Sequence, residues 1–450
     1  MRTLISSLHR ADVGVETYRV IEDLYPICRS ITGDGLRATL RYLQSDVPLD
    51  LVEVPTGTKL FDWSIPREWN ITDAYVKDSS GRRVIDFRDS NLHVVNYSVP
   101  VDSRMRLSEL SPHLHTLPDH PRWIPYRTSY YNEAWGFCLS HVDRMALDEE
   151  EVYDVCIDSS LTDGHLTYGE YLIRGETDEE VLISTHACHP SLCNDNLSGV
   201  AVASRLARYL GPLSLRYSYR FLFIPGTIGA ITWLARNRES IERIRHGLVL
   251  ACLGDRGAPA YKRSRRGDAE IDRVVCHVLE QANSDFTVVD FSPDGYDERQ
   301  YCSPAFDLPV GCLSRTPWAQ FPEYHTSADN LELVDPDALA DSFFTVLLTI
   351  AVLEENRTYL NLNPACEPQL GRRGLYRTMG GGTEKSHDEL ALRWVLNLSD
   401  GRHSLLDIAA RGRTPFAEIR RAADALLECE LLRETEACQR AASTAARERF

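Results

Sequence analysis

The chain has 450 residues, enough for two or three domains and a sizeable core. Its 66 acidic residues against 49 Lys and Arg leave a formal net charge of -17, which argues against a dedicated nucleic-acid binder, since phosphate contacts need a basic face. No apolar run of membrane-spanning length or export signal is read, and the 12 Cys lack paired spacing, so reduced thiols in a cytoplasmic protein are expected.

Residues 12–46 alternate apolar and charged positions at helical spacing, broken by Ser30-Ile31-Thr32-Gly33-Asp34-Gly35. A helix, a glycine turn and a second helix are predicted. From Val54 to about His141, short β-prone pieces (74–77, 83–87 and 92–99) are separated by turn residues such as Asp78-Ser79-Ser80-Gly81, predicting a small β sandwich or barrel. This region, taken as an inserted domain over 53–141, carries Trp63, Trp69, His113, His115, Trp123, Tyr126 and Trp135. Such a composition suits a cap that narrows substrate choice, and equally a small-domain core or a homo-oligomer surface. Within it Tyr126 and Arg127 are the best candidates for substrate contact, because that stretch mixes a cation, hydroxyls and aromatic faces.

The expected core, 1–52 with 142–365, then alternates strands and helices. The run Val181-Leu182-Ile183-Ser184-Thr185 reads as a buried strand, with His186 at its end, His189 just beyond, and Asp195 six residues later. Strands 219–225 and 247–254 and helices 196–210, 228–238 and 336–355 follow, implying a largely parallel sheet covered on both faces. A third histidine, His325, lies in Phe321-Pro322-Glu323-Tyr324-His325-Thr326. One histidine at a strand end is commonly a satisfied polar residue, and one Asp before Ser-Gly is commonly a cap. Together, however, imidazoles and a carboxylate are what zinc takes, and three protein ligands leave a fourth position open. After a connector over 366–384, residues 385–450 carry three amphipathic helices and a tail. There Thr414 is the expected N-cap before Pro415, and Arg420 and Arg421 are the cations that a DNA-reading helix would use. Acids crowd the same helix, so a protein-contact role is favoured and nucleic acid is not.

Asp195-Asn196-Leu197-Ser198-Gly199, the strand-end His186 and the late His325-Thr326 resemble the zinc aminopeptidase superfamily that includes the glutaminyl cyclases. More narrowly, they resemble its aminopeptidase-like branch with an inserted β domain and a C-terminal winged helix. The resemblance implies an α/β three-layer core with a mostly parallel sheet, with His186, Asp195 and His325 as ligands. His189 has no clear counterpart but lies near Asp195. The pattern departs where the superfamily has a Glu-Glu pair: Gly226-Thr227 stands there, and Ala251-Cys252 replaces a further carboxylate ligand. One zinc rather than two is therefore expected.

The usual general base is also missing. Asp297 falls where the resemblance places an acid near the metal, and Glu298 and Glu323 are candidate substitutes. If residues 323–325 were extended, Glu323 would share a face with His325. Arg299 and Tyr324 join Arg127 and Tyr126 as candidate substrate contacts. The expected activity is zinc-dependent, aminopeptidase-like hydrolysis of an amide bond in a small peptide or aminoacyl-type molecule. Glutaminyl-cyclase-like amide transfer and a catalytically inactive zinc-binding regulatory protein are the alternatives.

Overall fold

In the computed structural model, residues 1–282, 285–317, 320–375 and 389–435 are described. The main sheet has eight strands in the order Asp50–Pro55, His165–Ile173, Ser218–Ile224, Glu180–His186, Ile244–Leu250, Val310–Ser314, Ala260–Lys262 and Thr287–Val289. The strands from Ser218–Ile224 to Val310–Ser314 are mutually parallel, and antiparallel neighbours flank them. Every residue of Glu180–His186 and Ser218–Ile224 is buried, which is why these strands read as continuous apolar runs. The helices Gly199–Leu210, Ile228–Arg236 and Pro336–Glu355 fall close to expectation. The last is long and apolar enough to cross a membrane, with a mean hydropathy of 1.6, yet 72% of it is buried within the fold, as befits a core helix.

A short helix, Arg2–Ser7, and two longer ones, Arg10–Leu24 and Asp34–Gln44, precede the sheet. Gly33 between the longer two has φ +91°, and a Cβ there would collide with the Trp69 carbonyl, so the turn requires glycine. The insert is built on a four-stranded antiparallel sheet ordered Arg83–Asp86, Glu68–Lys77, Val152–Thr162, Val101–Arg106. Its strand Val152–Thr162 comes from beyond residue 141, so the inserted sheet runs further along the chain than the turn pattern alone indicates. Residues 92–99, expected as a strand, instead open in a single helical turn, Asn91–His93, capped by the Ser90 side chain. Isolated bridges follow, and Tyr97 turns to φ +74°.

The chain divides into two compact units, Met1–Asp272 with Ser284–Val346, and Arg273–Asn283 with Leu347–Phe450. In the second, helices Glu389–Leu398, Leu405–Gly412 and Phe416–Glu428 accompany a sheet ordered Asp400–Ser404, Thr358–Asn361, Leu432–Glu434, a winged helix-turn-helix. Pro415 is the N-cap residue of the last helix; its extended backbone (ψ 134°) displaces Thr414, whose hydroxyl bonds the Gly412 carbonyl. Of the expected connector 366–384 and C-terminal region 385–450, residues 376–388 and 436–450 lie outside the described residues. All eleven described cysteines are free.

Candidate metal centre

The carboxyl ends of the parallel strands, where ligands gather in open α/β sheets, bring the proposed donors together. His186 closes Glu180–His186, and its Nε2 lies 2.9 Å from Asp195 Oδ1. His325 Nε2 lies 2.9 Å from Oδ2 of the same carboxylate, and His189 Nδ1 lies 3.3 Å from that oxygen. Donor atoms of His186, His189 and Asp195 all fall within 4.8 Å of one another. Asp195 is fully buried, His186 nearly so, and the His325 side chain is 34% exposed, so access is from the His325 side.

The local chain path explains this convergence. Cys193–Ser198 winds as one wide π turn rather than as the start of the α-helix, with Asp195 off helical backbone angles. The N–H groups of Asn194 and Asp195 donate to the Asp329 carboxylate at 2.6 and 2.9 Å instead of continuing a helix. Asn194 is tied to Asp255 and Gly254, and Asn196 to Thr185, the His186 carbonyl and the Cys252 N–H. Arg29, fully buried, donates from Nε to the His189 carbonyl at 2.8 Å. Arg29 and Asn194 carried no sequence signal beyond lying in a turn and beside Asp195, and the loop-holding role of Asp329 shows only in three dimensions.

Electrostatically, burial pushes the Asp195 carboxyl up, but His189 and hydrogen bonds to the imidazoles outweigh it and hold it well below the usual range. Burial lowers His325, whereas Asp195 overcomes burial to raise His189. Among the described residues Asp195 has no Lys or Arg partner; the imidazoles and the Tyr324 side chain surround it. An ionised carboxylate so deeply buried calls for a cation. Donors around a four-coordinate zinc at 2.0–2.2 Å stand about 3.3 Å apart. His186, His189 and Asp195, whose donor atoms all lie within 4.8 Å of one another, are of the residue types and spacing that could close around such an ion, and His325 reaches the same carboxylate.

The remaining candidates divide. Tyr126 of the insert sets its ring edge-on to His189 and His325, at 5.3 and 5.1 Å, and its N–H donates to the His325 carbonyl at 2.8 Å. Tyr324 stacks on His325 at 4.0 Å, and Tyr296 on His186 at 5.3 Å. Arg127 is exposed, with His115 as its neighbour at 3.3 Å. Residues 323–326 form a tight turn closed by the Thr326 N–H to the Glu323 carbonyl at 3.0 Å, with His325 at φ +56°. The segment is therefore not extended, and Glu323 lines a neighbouring cleft instead of sharing a face with His325. Glu298, fully buried, is ion-paired with Lys262 and accepts from the Tyr296 N–H at 3.3 Å.

Asp297 differs from both glutamates. Its Oδ1 accepts from the Thr227 N–H at 2.6 Å, while its buried Oδ2 has no partner, and burial raises its carboxyl to about 6. Arg299 Nη2 lies 3.4 Å from Thr227 Oγ1. Thr227 has φ +62°, a strained conformation for a β-branched residue. A Cβ at Gly226 would meet Cys188 Sγ at 3.5 Å, His186 Cβ at 3.6 Å and His186 Cδ2 at 3.9 Å, all ordinary van der Waals contacts, so there is room for a group beside His186. Burial raises the Cys188 thiol to about 12 and keeps it neutral.

The sheet order and the strand-end histidines define the fold of the zinc aminopeptidases. A zinc aminopeptidase from Bacillus subtilis shares that fold with a TM-score of 0.54 at 12% identity, over 76% of this chain and 94% of that one. The chain belongs to the family described as Domain of unknown function (DUF4910), whose model matches residues 18–356, and residues 357–434 match a winged helix-turn-helix model. A Clostridium acetobutylicum protein, whose name proposes a role in polysaccharide biosynthesis and notes an aminopeptidase-like domain, is 55% identical over 423 residues, covering 94% of this chain and 97% of its own. A crystal structure of a proposed peptidase from Clostridium acetobutylicum superimposes with a TM-score of 0.91 at 53% identity, over 95% of this chain and 97% of that one.

Proposed function

We propose that the chain is an amide hydrolase with a single zinc held by Asp195 and by imidazoles drawn from His186, His189 and His325. The observation that carries this reading is the buried Asp195 carboxylate ringed by imidazoles, with no Lys or Arg partner among the described residues. Zinc bound there would polarise the amide carbonyl and lower the pKa of water to about 7. The protein's own residues manage position and protons. Asp297 presents the unpartnered Oδ2 as proton acceptor; with its carboxyl at about 6 it is ionised at neutral pH yet remains basic enough to serve. The space at Gly226, where the superfamily has its Glu, leaves room for substrate beside His186.

Burial keeps the Tyr126 phenol protonated far above its usual range, so it can donate a hydrogen bond to developing negative charge on a substrate oxygen. Glu298, neutralised by Lys262, serves structure instead. The test is zinc content of the purified protein, followed by amine release from a panel of aminoacyl and acyl amides. Zinc-dependent release supports the reading. A metal-loaded protein that releases nothing from any amide contradicts it, and cyclisation of glutaminyl peptides would move it to amide transfer.

A further inference from the structure

Next to the turn that carries His325 lies an open cleft of about 440 Å³, lined by Trp123, Glu323, Ser327, Asn330, Glu332 and Leu333. Glu323 and Ser327 flank that turn. The Ile124 N–H donates to Ser327 Oγ at 2.9 Å and the Ser327 N–H to the Ile124 carbonyl at 2.8 Å, which brings Trp123 of the insert to the cleft. One side of the Trp123 ring is backed by His120, stacked at 4.2 Å and nearly coplanar (6°). Among the described residues neither Glu323 nor Glu332 has an ion-pair partner, although Asn330 Oδ1 is engaged by the Glu332 N–H at 2.8 Å.

A braced indole offers a flat, apolar, electron-rich face, which suits the C–H face of a pyranose ring. Free carboxylates accept hydrogen bonds from its hydroxyls. The cleft is too open and polar for a lipid or an aromatic ligand, and two carboxylates in a chain of net charge -17 repel sugar acids and sugar phosphates. The name of the Clostridium acetobutylicum relative points toward polysaccharide chemistry independently.

We propose that this cleft is a glycosyl subsite for a neutral or amino sugar, and that the amide handled at the Asp195 centre is borne on that sugar. The second half of the proposal rests on the amide-hydrolase reading above. Hydrolysis of an N-acylamino sugar would break the C–N bond, the oxygen of water joining the acyl carbon to give a carboxylate, and a proton passing to nitrogen to give the amine.

The test is saturation-transfer NMR of N-acetylglucosamine against the full-length protein, with and without a zinc chelator, beside N-acetylmuramic acid. Ring-proton saturation is expected in both metal states, weaker for the acid sugar. The affinity should fall about tenfold in Trp123→Ala and measurably in Glu332→Gln, an exposed change that keeps the test valid if the tryptophan variant misfolds. No saturation in the wild type, or saturation unchanged by both variants, overturns the subsite. Sugar binding without amine release from the sugar amide supports the cleft and overturns its link to the Asp195 centre; release from no amide at all overturns the hydrolase reading. Turnover of sugar-free amides that equals turnover of sugar amides and ignores Trp123→Ala sustains the hydrolase and overturns the assignment of its amide to the bound sugar.

Discussion

The buried polar atoms of Asp195 and its Asn and Asp neighbours are paired, whereas several beside Asp297 are not. Asp195, Asn194, Asn196 and Asp329 spend their hydrogen-bonding capacity on one another, on the histidines and on the loop backbone. Some residues away, Asp297 Oδ2, Glu298 Oε2 and Arg299 Nε are buried without partners, and Thr227 holds a strained backbone angle. Unsatisfied buried groups are costly and call for an explanation. The paired half is a frame that fixes donor geometry in advance; the unpaired half holds positions that a substrate would satisfy.

The sharpest way to break this contrast is in the paired half. Asp195→Asn removes the only carboxylate among the three-imidazole set and should abolish zinc binding and all amide hydrolysis, read by elemental analysis and amine release. Next in size is Asp297→Asn. It should leave zinc content intact and lower kcat/KM by roughly 10²–10⁴-fold. Because a carboxylate accepts a proton only when ionised, wild-type kcat/KM should fall as pH drops through about 6, the value to which burial raises this group, and the variant should lose that limb. An unchanged profile in the variant would assign the proton to another group.

Glu298→Gln separates the neighbouring acids. Lys262, part-buried and also donating to the Asp294 carbonyl, loses its anion, so the variant should lose about 2 kcal/mol of stability in denaturant titration, while the folded fraction keeps its activity. A loss of turnover without loss of stability would reverse the roles of Asp297 and Glu298. The smallest effect is expected in the C-terminal unit. Arg420 is engaged by Asp424 one helical turn on and by the Tyr359 hydroxyl at 2.6 Å, so Arg420→Ala should cost about 0.5 kcal/mol. It should not change electrophoretic mobility with random duplex DNA at low salt; a duplex shift that the variant abolishes would make this helix a DNA reader.

The same contrast governs what could be read from sequence. His186, His189, Asp195 and His325 were recognisable because donor chemistry restricts residue type, and a strand end restricts where those residues stand. Asp297 and Glu298 are adjacent acids at the start of the short helix Glu298–Tyr301, and sequence cannot say which turns toward the Thr227 N–H and which toward Lys262. Roughly 100° of rotation per residue separates their directions. The condition under which Glu323 would share a face with His325, an extended segment, is not met because the chain makes a tight turn there, one stabilised by pairing with residues 124–126. Such pairing between segments some 200 residues apart in sequence leaves no local trace. The α/β alternation and the C-terminal helices were clear because long apolar periods survive any local ambiguity. The irregular stretch 92–99 was not, because its path is set by the Ser90 cap and by Tyr97 stacking on Trp69.

Elemental analysis of the purified wild-type protein beside Asp195→Asn tests the centre most directly. One zinc per wild-type chain and none in the variant is the expected result. Equal zinc in both proteins, or full amide hydrolysis by a wild-type preparation stripped of metal, would contradict the account.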